Sequence, residues 1–304
     1  MTDPAYYGRP ILKPPVWKRE IGWYLFTGGL AGASSTMAFL ARASGHPVLA
    51  RRAGLVATAA VNASPALLVK DLGRPERFLN MVRVFKPSSP MNLGSWLLLG
   101  SGATTTAATL LDAAGVAPRA RAGLEAVAGV SGVPLSVYTS VLLADTANPA
   151  WHEARRELPF LFGSSAAASA GAAAVIGVPT REAAPARRLA IGGALVESAV
   201  MLAMKRRLGP LGEPYQQDQA GRSAKVARAC SLGGATLLAL AGRRSRVASA
   251  AGGALVLAGE LALRWSVFKA GFQSARDPKY TVLSQRERAA TRGAGARSDL
   301  PARP

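Results

Sequence analysis

Residues 21–41 read IGWYLFTGGLAGASSTMAFLA, 21 residues without a charge. At 1.5 Å per residue a helix of about 20 residues crosses the roughly 30 Å hydrocarbon core of a bilayer, so this run is long enough to span it. Four further runs have similar length: Met91–Leu111, Ala126–Ala144, Leu158–Val178 and a stretch ending near Val267. Three are shorter: Ala53–Val69, Leu189–Met204 and Ala229–Gly242. The last, of 14 residues, can cross only if Arg228 and Arg243 snorkel or the bilayer thins. The reading is an all-α polytopic membrane protein, a helical bundle of about eight transmembrane helices. Its abundant Ala and Gly suit close helix packing in lipid.

Three regions follow. Residues 1–20, rich in Pro and aromatics (Tyr6, Tyr7, Trp17), form an N-terminal arm on the membrane surface. Residues 21–270 hold the eight helices, and residues 271–304 are a basic tail expected to be largely disordered. The first twenty residues have no apolar core of a cleavable signal, so the first span is expected to direct insertion.

Hydrophobic residues make up 49% of the chain and the net charge is +20. In a soluble protein that charge would suggest nucleic acid, but its placement argues otherwise. With eight spans, 25 of the 37 Lys and Arg residues fall on the side of the termini and the even-numbered loops, 11 on the other side, and Arg264 lies within the last span. The asymmetry predicts a multi-pass protein of the cell membrane with both termini cytoplasmic. No motif supports nucleic-acid binding.

One cysteine, Cys230, excludes an iron–sulfur cluster ligated by this chain, which would take four ligands. His46 and His152 are the two histidines, and they fall on opposite sides of the membrane, so they cannot share a haem. No metal site is expected. Ionisable groups inside spans are expensive, about 2.5–3.5 kcal/mol each on insertion scales, and each is a functional candidate. Glu197 lies mid-way along the sixth span, while Glu260 and Arg264, four residues apart in the eighth, share a face where they can pair. These three form a candidate intramembrane polar or proton path. Tyr138 and Asp145, about two turns apart, share one face near the inner end of the fourth span. Asp112 and Glu125 sit at outer ends and are expected to be solvated.

The inner loops mix turn residues, aromatics and both signs of charge. The second runs Lys70-Asp71-Leu72-Gly73-Arg74-Pro75-Glu76-Arg77-Phe78 and then Ser88-Ser89-Pro90-Met91. The fourth runs Asn148-Pro149-Ala150-Trp151-His152-Glu153-Ala154-Arg155-Arg156-Glu157. A docking surface is the economical account, with Trp17, Arg77, Trp151, His152 and Arg155 as its candidates.

The Asp71–Phe78 run and Ser89-Pro90-Met91 with Gly94-Ser95-Trp96, taken with Trp17, Tyr24–Gly32, Tyr138, Leu263-Arg264-Trp265 and Ala270-Gly271, resemble the NrfD-type family, the polysulfide reductase membrane subunit. The likeness runs from about Trp17 to Tyr280. It implies a haem-free, eight-helix subunit that carries electrons between the membrane quinone pool, menaquinone in particular, and a four-cluster ferredoxin-like iron–sulfur subunit. That subunit in turn serves a molybdopterin- or tungstopterin-containing catalytic subunit, such as a formate dehydrogenase or polysulfide reductase. By the same resemblance the quinone site would lie at Tyr24, Asp71, Arg74, Tyr138 and Asp145. Two readings from other classes stand beside it: a proton- or ion-translocating protein using the buried charges, and a purely structural membrane anchor.

Overall fold

A computed structural model describes residues 11–74 and 76–285. Of the basic tail, 271–304, residues 271–276 and 278–285 are helical, which corrects the expected disorder there; the rest of it lies outside the described residues, as does the start of the arm. Within them the chain is helical: α1 (Arg19–Ala43), α2 (Pro47–Asp71), α3 (Arg77–Arg83), α4 (Pro90–Ala114), α5 (Pro118–Ala144), α6 (Pro149–Glu153), α7 (Leu158–Gly177), α8 (Ala184–Leu208), a 3-10 segment (Gly209–Tyr215), α9 (Asp218–Leu240) and α10 (Arg246–Arg276).

Each of the eight apolar runs falls on one long helix: α1, α2, α4, α5, α7, α8, α9 or α10. Four of these, α2, α5, α7 and α10, are long and apolar enough to cross a membrane by composition. The short seventh run proves to be the second half of a 23-residue helix whose first half carries Arg222, Lys225 and Arg228. That charged half precedes the apolar run at the start of the helix, where cationic heads can reach water, so apolar length alone underestimated the helix. The helix starts follow local chemistry. Pro occupies the first turn of α2, α4, α5, α7 and α8, where a missing N–H costs nothing. Ser89 and Ser245 cap α4 and α10 through their hydroxyls.

Two bundles result. In the first, α1 packs on α2 and α5, and α4 on α2 and α5; in the second, α7 packs on α8 and α10, and α9 on α10 and α8. α1 joins them by also touching α7 and α10. The first bundle is tied by interhelical hydroxyl pairs: Thr27 with Ser64 (2.9 Å), Ser35 with Thr105 (3.0 Å), Thr58 with Thr109 (2.8 Å) and Ser101 with Ser131 (2.9 Å). Such bonds contribute about 0.6 kcal/mol each in lipid, so their number matters more than any one of them. At the outer end Arg42 bonds Asp112 (2.8 Å) and Glu125 (2.8 Å), and Arg121 bonds Asp112 (2.9 Å). Both acids are 12% exposed. They are therefore partnered in a network that closes the first bundle, not solvated as their position suggested.

Candidate functional site

The N-terminus of α1, the C-terminus of α2, the N-terminus of α4 and the C-terminus of α5 meet at one end of the first bundle, the end that carries the second loop, and the quinone candidates gather there. Tyr24 is 2% exposed, packed among Ala31, Ala60, Val61, Leu98 and Leu135. Its hydroxyl makes no hydrogen bond among the described residues. Tyr138 lies on α5, which packs against α1. The Tyr138 hydroxyl donates to the Pro90 carbonyl at 2.7 Å. Its ring occupies the space that a side chain at Gly94 would need. The Ser-Pro-Met-Asn-Leu-Gly run thus has a job at each end: Ser89 and Pro90 start α4, and Gly94 leaves room for the tyrosine.

Asp71 and the arm meet at the same face. Asp71 Oδ1 accepts the backbone N–H of Lys18 at 2.7 Å, fixing the start of α1 to the end of α2. Arg74 and Arg77 are exposed, and Asp145 ends α5 with its side chain also exposed. The structure therefore sets Tyr24 and Tyr138 on neighbouring helices, α1 and α5, toward the same end of the first bundle. It sets Asp71 at the start of α1, about 9 Å along that helix from Tyr24, and Asp145 about 10 Å along α5 from Tyr138. The second loop is held from within by Asn92, whose amide donates to Met81 (2.8 Å) and Val84 (2.7 Å) and accepts from the Lys86 N–H (2.6 Å). Trp96 adds a bond to Val84. Asn92 was not among the residues singled out from sequence; its position one residue past the Ser-Pro-Met run was the available signal.

The fourth loop is pinned more strongly. Trp151 is fully buried and donates its indole N–H to the Val267 carbonyl at 2.7 Å. It stacks on Trp17 with centroids 5.6 Å apart, and lies where a side chain at Gly271 would have to be. The backbone of Ala150 is bonded at both ends, its N–H to Ser274 (3.2 Å) and its carbonyl to the Tyr215 hydroxyl (2.8 Å). Burial pushes the Tyr215 phenol above its ordinary value, so it stays a donor. Arg207 grips both the Glu157 carboxylate and the Glu153 carbonyl. Of the docking candidates, Arg77 and Arg155 are exposed, and His152 is half-buried with Nδ1 3.2 Å from the Ala144 carbonyl. Trp151 lies beneath the surface, and Trp17, partly buried, stacks on it and remains accessible. Beside them Lys279 bonds Glu213 at 2.7 Å and holds that carboxyl below the usual carboxylate range.

The three intramembrane charges converge in the second bundle. Glu197 on α8 and Glu260 on α10 face each other and are 5% and 0% exposed. Glu260 accepts from Ser231 of α9 at 2.9 Å, and its other oxygen has no partner. Arg264, 1% exposed, does not form the expected ion pair within 4 Å of Glu260. Instead Nη2 donates to the Phe162 carbonyl on α7 at 2.8 Å and the guanidinium lies 3.8 Å over the Phe162 ring. Its Nε and Nη1 remain without partners. The reason is direction: an i, i+4 spacing sets two residues on one face but does not stop the longer side chain from turning to a neighbouring helix. Among the described residues no cluster of three or more His, Cys, Asp or Glu side chains is placed to hold a metal.

A family model described as polysulfide reductase, of the NrfD type, matches residues 5–276. No curated relative matches the chain.

Proposed function

Because the chain belongs to the NrfD-type polysulfide reductase family of helical membrane proteins, we propose that it is the haem-free membrane subunit of a quinone-linked oxidoreductase. In this reading it passes electrons between an iron–sulfur partner subunit and the quinone pool. That partner serves a molybdopterin or tungstopterin enzyme such as a formate dehydrogenase or polysulfide reductase, and menaquinone is the expected quinone.

The observation that carries the reading is the Tyr24–Tyr138 pair beneath two pinned inner loops. Reducing a quinone to a quinol takes two electrons and two protons, so its site needs hydrogen-bond donors at the carbonyl oxygens and a route to water. The Tyr24 hydroxyl fits the first need, being a buried donor with no partner among the described residues. Tyr138, held in place by Pro90 and Gly94, orders the wall beside it. Asp145 and Asp71, at the inner ends of α5 and α2, supply carboxylates that can relay protons from water. Loops locked by Asn92 and Trp151 give a partner a surface of fixed shape near that pair, with Arg77, Arg155 and His152 displayed on or near it. Electron transfer falls steeply with distance, so a rigid platform is the useful property.

The charge asymmetry supports placing this face in the cytoplasm of a cell membrane. The test is purification of the complex with its neighbours and assay of quinone reduction alongside an artificial acceptor that takes electrons upstream of this subunit. Absence of any quinone-dependent turnover in an assembled complex would leave only an anchoring role.

A second reading, proton translocation, is favoured by Glu197, Glu260 and Arg264. Two carboxyls and one guanidinium in mid-membrane are costly unless a proton is shared among them, and the unpartnered atoms leave places for water to bridge. Proton flux in liposomes lacking any redox partner would separate translocation as a free activity from translocation coupled to quinone chemistry.

A further inference from the structure

At the inner face a cleft of about 1330 Å3 lies between the start of α1, the end of α10 and the start of α9. Neither the tyrosine pair nor the buried carboxyls belong to it. Its floor is aromatic: Trp23 meets Trp265 edge-on at 6.4 Å, Trp265 meets Phe268 at 5.9 Å, and Phe268 meets Phe272 at 4.9 Å. Trp23 is 44% exposed on α1 just inside the membrane, so the floor continues to the lipid side.

The rim carries Lys18, Arg19, Lys269 and Arg276, and none of these side chains forms an ion pair within 4 Å among the described residues. Lys269 Nζ instead lies 5.6 Å from the Trp265 ring centre. Of the three acids at the rim, Glu20 is engaged by Lys70 at 3.4 Å and Asp277 accepts the Lys279 N–H at 2.9 Å. Only Asp218 at the start of α9 has no such partner. Unpaired cations above an aromatic floor, at the depth where Trp residues meet lipid head groups, match an anion that carries its own apolar chains.

We propose that this cleft binds an anionic phospholipid from the adjacent leaflet, its phosphate among Lys269, Arg276 and Arg19 and its upper acyl chains along Trp23, Trp265 and Phe268. A neutral quinone would leave the cations without a counter-charge. An acidic protein segment would not use a floor that opens sideways into lipid. A lipid seated here wedges between α1 of the first bundle and α10 of the second.

The test uses the full-length protein purified in detergent. It is titrated with dioleoyl phosphatidylglycerol or dioleoyl phosphatidylcholine and read by native mass spectrometry, with glycerol 1-phosphate as the soluble head-group competitor. Wild type should retain phosphatidylglycerol in preference to phosphatidylcholine. Lys269→Gln with Arg276→Gln should weaken that retention roughly 25-fold, at about fivefold per cation near the surface. The charge-preserving Lys269→Arg with Arg276→Lys should restore it, and Trp23→Ala should lower it severalfold. If the double Gln variant fails to fold, the restored pair and Trp23→Ala carry the test: retention must persist in the first and fall in the second. Equal retention of both lipids, or no change in any variant, overturns the proposal. Displacement by millimolar glycerol 1-phosphate with no effect of Trp23→Ala overturns it in favour of a free-anion site. Unchanged lipid retention in the double Gln variant, together with its failure to copurify from membranes with the partner subunits that accompany wild type, overturns it in favour of a protein interface.

Discussion

Tyr24→Phe removes one oxygen from a side chain that is 2% exposed and whose hydroxyl bonds nothing among the described residues. Folding should barely register the change, because no protein hydrogen bond is lost and the ring still fills its place among Ala31, Leu98 and Leu135. Tyr138→Phe is the control. It deletes the 2.7 Å bond to Pro90 and should cost about 0.5–1.5 kcal/mol of stability. If the Tyr24 hydroxyl donates to the quinone oxygen where negative charge develops, its loss removes a hydrogen bond of that same size from the transition state. That corresponds to about a 2- to 13-fold fall in kcat/KM for quinone. The two variants should therefore separate: Tyr24→Phe lowers quinone turnover and spares thermal stability, whereas Tyr138→Phe lowers stability more clearly. The assay is quinone reduction by the intact complex, with an artificial acceptor reporting the upstream centres and a melting curve reporting the fold. Unchanged quinone turnover in Tyr24→Phe, or an equal loss with both acceptors, would refute a direct role for this hydroxyl.

Asp145→Asn, at an exposed helix end, should change stability by less than about 0.5 kcal/mol while lowering quinone reduction severalfold. Full activity in both assays would move proton delivery elsewhere, Asp71 being next. Gly271→Ala drives a methyl into the Trp151 ring and should cost about 1–3 kcal/mol or more, loosening the fourth loop. Hydrogen exchange in residues 148–157 would rise, and protection equal to wild type would mean the loop is held by its other bonds alone. Glu260→Gln should leave the rate of quinone reduction intact and reduce the protons translocated per quinone in liposomes. An unaltered proton ratio would make the buried cluster structural. A reporter active only in the cytoplasm, fused after Arg292, should give signal, and silence there with activity of an exported reporter would invert the topology.

The helices were legible because apolar length is a local property: each run either reaches across a bilayer or does not, whatever the rest of the chain does. α9 was short-measured for the same reason, since Arg222, Lys225 and Arg228 interrupt the run without interrupting the helix. Side-chain partnerships were not legible, because they are set between elements far apart in sequence. Arg264 shared a face with Glu260 yet turned to Phe162 on α7. Asp112 and Glu125 looked solvated until Arg42 arrived from α1.

Trp151 is the most instructive case. In sequence it is an aromatic in a polar, charged loop, which reads as surface; in the fold, Gly271 on α10 opens a slot that admits its ring and Val267 accepts its N–H. Tyr138 and Gly94 repeat the arrangement in the first bundle. In both, a residue with no side chain on one helix receives a ring from another element, and the ring carries a hydrogen bond to backbone at its far end. Such a pair fixes two elements in both distance and rotation, which an apolar contact alone does not. One pair anchors the fourth loop and the other orders the wall beside Tyr24, so the two most specific packing devices lie under the surface proposed to dock a partner and beside the hydroxyl proposed to meet a quinone. A protein that had only to anchor a soluble complex would have reason to build the first. The second also fixes α4 against α5, and Tyr24→Phe is the variant that tells whether the geometry it sets beside Tyr24 serves quinone chemistry.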